Sequence, residues 1–224
     1  MRFSFDLAGA LADAGALLLP VRCAGCGRAG RSLCRACRST LADAVHRARR
    51  GELEVWCALD YAGAARNAIA AFKDGGRVDL ARPLARALRD AILAALADTA
   101  STGVELVSIP SSARSWRRRG YRPVDMLVRR AGFRAPRVLR HRVRRRDQVG
   151  LGRAQRMRNV AGTLGMRRGI RSLEGRRFLL VDDIVTTGST LLEAARVLRE
   201  AGAEVIGAAV VADTRRWSER SADA

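Results

Sequence analysis

The sequence predicts an α/β fold: a parallel sheet covered by helices, with a small cysteine-rich module in front of it. Three observations carry that expectation. Short apolar runs such as "VELVSIP" (104–110) and "RFLLV" (177–181) alternate with longer segments of helical periodicity. Glycines close the helical segments, as at Gly75, Gly76 and Gly132. Four of the five cysteines fall within residues 20–38 as two CxxC pairs.

Taken in order, the first twenty residues look superficially like a secretory leader. Arg2 is their sole basic residue, however, and Asp6 and Asp13 interrupt the apolar stretch, which suits an amphipathic helix over 1–19. The cysteine module occupies 20–40. In "STLADAVHRARRGELEVW", Leu41, Ala44, Val45 and Ala48 recur at helical spacing and predict a linker helix over 41–55. Residues 56–214 form the main domain. "VWCALDYAG" reads as a strand, "AARNAIAAFKDGGR" as an amphipathic helix, and "DLARPLARALRDAILAALADT" as a long helix with Leu80, Leu84, Leu88 and Ile92 on one face. "VELVSIP" is a buried strand and "PVDMLVRRAG" a helix. Residues 137–160 offer few core candidates and are expected to form a mobile excursion. "RFLLV" is a strand, "STLLEAARVLREAG" a helix and "AEVIGAAVVAD" the last strand, followed by a polar tail over 215–224. Cys57 reads as a buried core residue.

Charge is distributed unevenly. The chain has 224 residues, 42 basic and 22 acidic, and a formal charge of +20; Lys73 is the single lysine. Residues 114–177 hold 22 arginines against Asp125, Asp147 and Glu174, which is +19 of that total. Genomic nucleotide bias accounts for arginine over lysine, but not for the clustering. A concentration of this kind attracts polyanions, either phosphates on a small molecule or a nucleic-acid backbone. No run of eighteen apolar residues exists, so no membrane insertion is expected, and the chain reads as cytoplasmic.

Cys23, Cys26, Cys34 and Cys37 have the spacing C-x2-C-x7-C-x2-C. Two such knuckles aim four thiolates at one point and suit a structural zinc site with no open coordination position; disulfides are the competing reading, disfavoured by a reducing compartment.

The stretch "FLLVDDIVTTGST" (178–190) puts adjacent acids, Asp182 and Asp183, at the end of an apolar strand in a basic chain. In parallel sheets ligands bind at the carboxyl ends of strands. The hydroxyls of Thr186, Thr187, Ser189 and Thr190, with the N–H groups opening the next helix, can cradle a phosphate, and Gly188 permits close approach. Glu193 is placed to complete a capping box with Thr190. The acids suit sugar hydroxyls or a cation held by them. The site therefore reads as phosphate on one side and polyol on the other, and ribose 5-phosphate fits.

The thirteen residues 178–190 resemble the phosphoribosyl-pyrophosphate (PRPP) signature of type I phosphoribosyltransferases. The resemblance extends to the ComF family of competence-associated proteins through the two CxxC pairs, "YAGAARNAIAAFKDGG", "IPSSARSWRRRGY" and "RRRDQVGLGRAQRMRNV". Where that family has a pattern close to "RGFNQ", this chain has "RGYRPVD". The resemblance implies a type I phosphoribosyltransferase-like sheet behind a four-cysteine zinc module. It implies Mg²⁺–PRPP as ligand and displacement of pyrophosphate by a base-like nitrogen of unknown identity. Asp182 and Asp183 would hold the ribose and metal, and Thr186, Thr187, Gly188, Ser189 and Thr190 the 5-phosphate. Ser111, Ser112, Arg114, Arg117, Arg118 and Arg119 would form the pyrophosphate loop. Gln148, Arg153, Gln155, Arg158 and Asn159, with Gly150 and Gly152, would form a closing loop or else a disordered arm. Lys73 is a weaker site candidate beside its reading as a snorkelling helix residue. Thr186 stands where hypoxanthine–guanine enzymes carry an acid, which argues against that acceptor class. His46 and His141 are read as ordinary histidines, His141 at the surface. A second reading stays open: a non-catalytic PRPP-fold component of DNA uptake, touching single-stranded DNA or a competence protein. Few aromatics interleave with its arginines, Trp116 and Tyr121 alone.

Overall fold

The computed structural model describes residues 21–42, 44–99, 102–142, 162–170 and 172–214. The expected helix over 1–19, the tail 215–224 and the closing-loop residues Gln148, Gly150, Gly152, Arg153, Gln155, Arg158 and Asn159 lie outside them.

A five-stranded sheet forms the centre. Its strands are β1 (His46–Arg50), β2 (Leu53–Asp60), β3 (Val104–Ser108), β6 (Arg177–Val185) and β7 (Glu204–Asp213), in the order β1-β2-β7-β6-β3. All neighbours are parallel except β1 and β2, which form an antiparallel hairpin. A separate two-stranded hairpin pairs β4 (Leu139–His141) with β5 (Leu164–Met166).

Apart from β1, the strands of this sheet are largely apolar, as sheets covered on both faces require. In β2, Val55, Cys57, Ala58 and Leu59 are all buried, so Cys57 is a core residue as its surroundings predict. One face carries α1 (Arg35–Ser39) of the cysteine module, α2 (Gly63–Asp74), α3 (Ala81–Asp98) and α5 (Pro123–Arg130). Leu80, in a single 3₁₀ turn, and Leu84, Leu88 and Ile92 of α3 are completely buried there, as their spacing predicts. The opposite face carries α6 (Ser189–Glu200) and the β4–β5 hairpin.

Two segments differ from their sequence reading. The stretch expected as a linker helix over 41–55 contains β1 instead. Its charged residues alternate with half-buried ones, His46, Ala48 and Arg50 inward against Arg47 and Arg49 outward, and Gly51 at φ +59° turns the chain into β2. Period two wins over the weak helical spacing because β1 completes the edge of a sheet. The expected excursion 137–160 begins as structure: Val138 and Leu139 are buried, and β4 pairs with β5.

The cysteine module is seated on α2. Asn67 donates to the Gly25 carbonyl at 2.8 Å, and Arg77 donates to the carbonyls of Arg22 and Ser32. Gly25 lies between Cys37 and α2 so closely that a Cβ would fall 2.7 Å from Cys37 Sγ and 3.0 Å from Ala64 Cβ.

Candidate functional site

The carboxyl ends of β2, β7, β6 and β3 bring together Asp60, Asp213, the Asp182–Asp183 pair and Ser108. β6 runs four residues past "RFLLV" to Val185, so the acids stand inside the paired strand, Asp182 opposite Val210. Successive residues of a strand face opposite sides, and the pair divides accordingly. Asp182 lines a small crevice with Ile184, Val185, Thr186, Thr187, Gly188, Ser189, Thr190 and Leu191. Asp183 is 8 % exposed, and its Oδ1 accepts from Lys73 Nζ at 3.0 Å.

Burial pushes the Asp182 carboxyl well above the usual carboxylate range, and the neighbouring Asp183 charge adds to the shift. The N–H of Asp183, which donates to Asp182 Oδ1 at 2.8 Å, and the Lys73 charge oppose it. Lys73 is thus the counter-ion of the pair rather than a snorkelling surface residue.

α6 begins directly at the crevice. Gly188 is its N-cap, at φ +77°. Thr187 and Ser189 share a hydroxyl contact of 2.6 Å and, with Thr186 and Thr190, place four hydroxyl oxygens and the start of the helix around the opening. The N-cap is Gly188, not Thr190, so the expected capping box is absent: the Ser189 N–H donates to Thr187 Oγ1 at 3.4 Å, and Glu193 accepts from the Gly162 N–H at 2.7 Å and pairs with Arg196. Packing also requires Gly188. A Cβ there would lie 2.6 Å from Arg50 Cβ, because the Arg50 side chain crosses the loop.

Arg50 is the main residue the sequence reading missed. Its Nε donates to the Thr186 carbonyl at 2.9 Å and its guanidinium pairs with Asp213, 2 % exposed. β1 therefore straps the phosphate-type loop to the end of β7. The period-two pattern of "HRARR" was the available signal. The same region gathers His46, Cys57 and Asp213, whose ligand atoms lie within 4.8 Å of one another. His46 Nε2 is 3.8 Å from Asp60 Oδ1.

The loop after β3 leaves beside the acids, since the Ile109 N–H donates to the Val181 carbonyl at 2.9 Å. Ser111 lies in it, and Ser112 caps α4 (Ala113–Arg119), its Oγ accepting from the Ser115 N–H. Arg118 and Arg119 both bind Asp74, at 2.5 and 2.9 Å, so the end of α2 ties the acid pair to this arginine helix through consecutive residues, Lys73 and Asp74. Arg114 and Arg117 have no partner among the described residues. His141, expected at the surface, is half-buried with Nε2 2.7 Å from the Pro110 carbonyl oxygen.

The four module sulfurs lie within 4.8 Å of one another, close enough to bind one metal ion. Cys26 and Cys34 Sγ are 3.8 Å apart, far beyond a disulfide. That separation matches the edge of a tetrahedron with metal–sulfur bonds of about 2.3 Å. Burial resists ionisation of Cys23, but N–H groups of Cys34, Cys26 and Gly25 outweigh it and bring its pKa down to about 6. Burial and the neighbouring sulfurs push Cys37 up to about 12. The crevice offers a different donor set, carboxylate and hydroxyl oxygen alone, which fits a hard cation such as Mg²⁺.

Residues 117–223 match the family model described as "Phosphoribosyl transferase domain". Among curated proteins, the chain is 36% identical over 64 residues to an orotate phosphoribosyltransferase of Sulfurimonas denitrificans, 29% of this chain and 32% of that one. It is 48% identical over 48 residues to an orotate phosphoribosyltransferase of Pyrococcus furiosus (21% and 26%), and 48% over 50 residues to an adenine phosphoribosyltransferase of Mycobacterium avium (22% and 28%). The chain thus spans between a quarter and a third of the length of these relatives. Together with the parallel sheet and the crevice at its carboxyl end, the matches support a phosphoribosyltransferase-type domain in the second half of the chain.

Proposed function

We propose that the protein binds Mg²⁺–PRPP, or a related ribose 5-phosphate compound, and transfers the phosphoribosyl group to a nitrogenous acceptor. The observation that supports this best is the crevice itself: a carboxyl group, four hydroxyls and a helix start around one opening at the end of β6. The helix start and the hydroxyls of Thr186, Thr187, Ser189 and Thr190 would take the 5-phosphate. Asp182 would meet the ribose hydroxyls. Arg114 and Arg117, with Ser111 and Ser112, would face the pyrophosphate, while Arg118 and Arg119 fix α4 through Asp74. In the reaction the acceptor nitrogen forms a bond to the anomeric carbon, and the carbon–oxygen bond to pyrophosphate breaks, its electron pair leaving with the pyrophosphate. Mg²⁺, held by Asp182 and the sugar hydroxyls, would neutralise the leaving group. Asp183, turned to Lys73, would tune Asp182 rather than touch the sugar.

The four-cysteine cluster would hold zinc as a fixed support for α2, and the module in front of this domain supports the ComF resemblance. The binding step is tested by thermal shift. Mg²⁺–PRPP raises the melting temperature of the wild-type chain, and Asp182→Asn abolishes that rise; a wild-type shift near zero at millimolar PRPP overturns the reading. Pyrophosphate release across a panel of bases tests turnover.

A second reading has its own supporting observation. Trp116 is 45% exposed beside Arg114 and Arg117, and Arg122 lies 5.9 Å over its ring, a stacking surface suited to single-stranded DNA in a non-catalytic role. Oligonucleotide affinity falling steeply with salt and lost in Trp116→Ala supports it.

A further inference from the structure

A cavity of about 600 Å³ is lined by α5 and the segment 132–137 that follows it. It shares no residue with the crevice at the end of β6. Its floor is apolar, with Val128 buried and Phe133 half-buried. Its rim is cationic, with Arg129, Arg134 and Arg137 against Asp125.

The charges do not cancel. Arg137 is neutralised by Asp125, with Nη2 3.0 Å and Nε 3.1 Å from Oδ2, and the other oxygen of Asp125 accepts from Ser108 Oγ at 2.6 Å. Arg129 and Arg134 have no acidic partner among the described residues. The cavity therefore carries an uncompensated charge of +2 beside an aromatic ring and an aliphatic wall. Its shape is also braced. Arg89 of α3 donates to the Ala131 carbonyl at 2.8 Å and lies 5.6 Å over the Phe133 ring, holding the wall in place.

We infer that this cavity is a second ligand site, for a small phosphate monoester carrying a flat ring, of the nucleoside monophosphate class. A phosphate monoester carries a charge of about −1.5 to −2 near neutral pH, which the two open guanidiniums match. Guanidinium forks bind phosphate through paired hydrogen bonds. The volume falls within the range of about 300–1,000 Å³ typical of small-ligand pockets, and the apolar floor suits a base. A bare phosphate leaves the Phe133 and Val128 wall uncovered, and a nucleoside leaves the arginines unmatched. The inference is independent of the reading of the β6 crevice.

The test is equilibrium binding to the full chain by calorimetry. The probes are adenosine monophosphate, uridine monophosphate, adenosine, inorganic phosphate and a single-stranded oligonucleotide. At least one monophosphate binds saturably, and adenosine and phosphate each bind about tenfold or more weakly. Arg129→Gln with Arg134→Gln, both exposed and so expected to leave the melting temperature unchanged, removes that binding event; Phe133→Leu weakens it. Asp182→Asn with Asp183→Asn leaves it intact, although these changes eliminate any event at the β6 crevice. The inference is overturned by any of four results: no saturable binding of either monophosphate at millimolar concentration, affinity unaltered by the arginine changes, loss with the aspartate changes, or tighter arginine-dependent binding of the oligonucleotide.

Discussion

Lys73 Nζ sits 3.0 Å from Asp183 Oδ1, joining the chain's single lysine to the second acid of the motif across 110 positions of sequence. The contact explains how two adjacent acids are tolerated: one faces a cation inside the fold, and the other faces the crevice.

Removing that cation leaves a buried carboxylate with its like-charged neighbour. Lys73→Met should destabilise the protein by about 2–3 kcal/mol in urea unfolding, less than a fully buried pair because the lysine is partly exposed. Lys73→Met with Asp183→Asn should recover most of the loss, and a double-mutant cycle showing no coupling would remove Lys73 from its role as counter-ion.

Asp182 is protonated more readily in the folded chain than in the unfolded one. Its contribution therefore lowers native stability as pH rises from the ordinary carboxylate range through the elevated folded value, and levels off above it. Asp182→Asn should raise the melting temperature at neutral pH and flatten this part of the pH profile, while losing the Mg²⁺–PRPP response. Stability and binding thus move in opposite directions, which an ordinary core residue would not show.

Gly188→Ala combines a left-handed backbone with a collision against Arg50. A loss of about 1–3 kcal/mol is expected, together with a weakened PRPP response. Arg50→Gln should weaken that response with a smaller loss of stability than Gly188→Ala, because it removes the contacts to the Thr186 carbonyl and Asp213 without straining the turn.

Stripping metal from the four-cysteine module with a strong chelator should lower the melting temperature, and Cys26→Ser should reproduce the drop. Because Cys37 holds its proton up to about 12, metal binding must displace protons, so affinity should fall as pH is lowered. Elemental analysis giving no metal in freshly purified protein would reject the module as a metal centre.

The main strands and helices were legible because their apolar periodicity is strong and uninterrupted. The long helix through Leu84, Leu88 and Ile92 packs as its spacing requires. The thirteen-residue motif was legible because strand, turn and helix are contiguous. What escaped was non-local. Arg50 reaches Thr186 across 136 positions, and nothing within "HRARR" names its partner. β1 runs against its local spacing: four weakly apolar residues fit a helical period, and only pairing with β2 decides between the two. Glu193 fits a capping box by spacing, yet Gly162 and Arg196 claim its oxygens.

β1 also has a bearing on self-association. It is one of the two edge strands of the described sheet, where unpaired backbone groups would otherwise invite another chain to add a strand, and its outward side chains are Arg47 and Arg49, which reach Asp98 and Glu54. Two such rims brought together would crowd four guanidinium groups along one seam. The strand whose Arg50 crosses the loop after β6 therefore also lines that edge with charge, which disfavours edge-to-edge pairing.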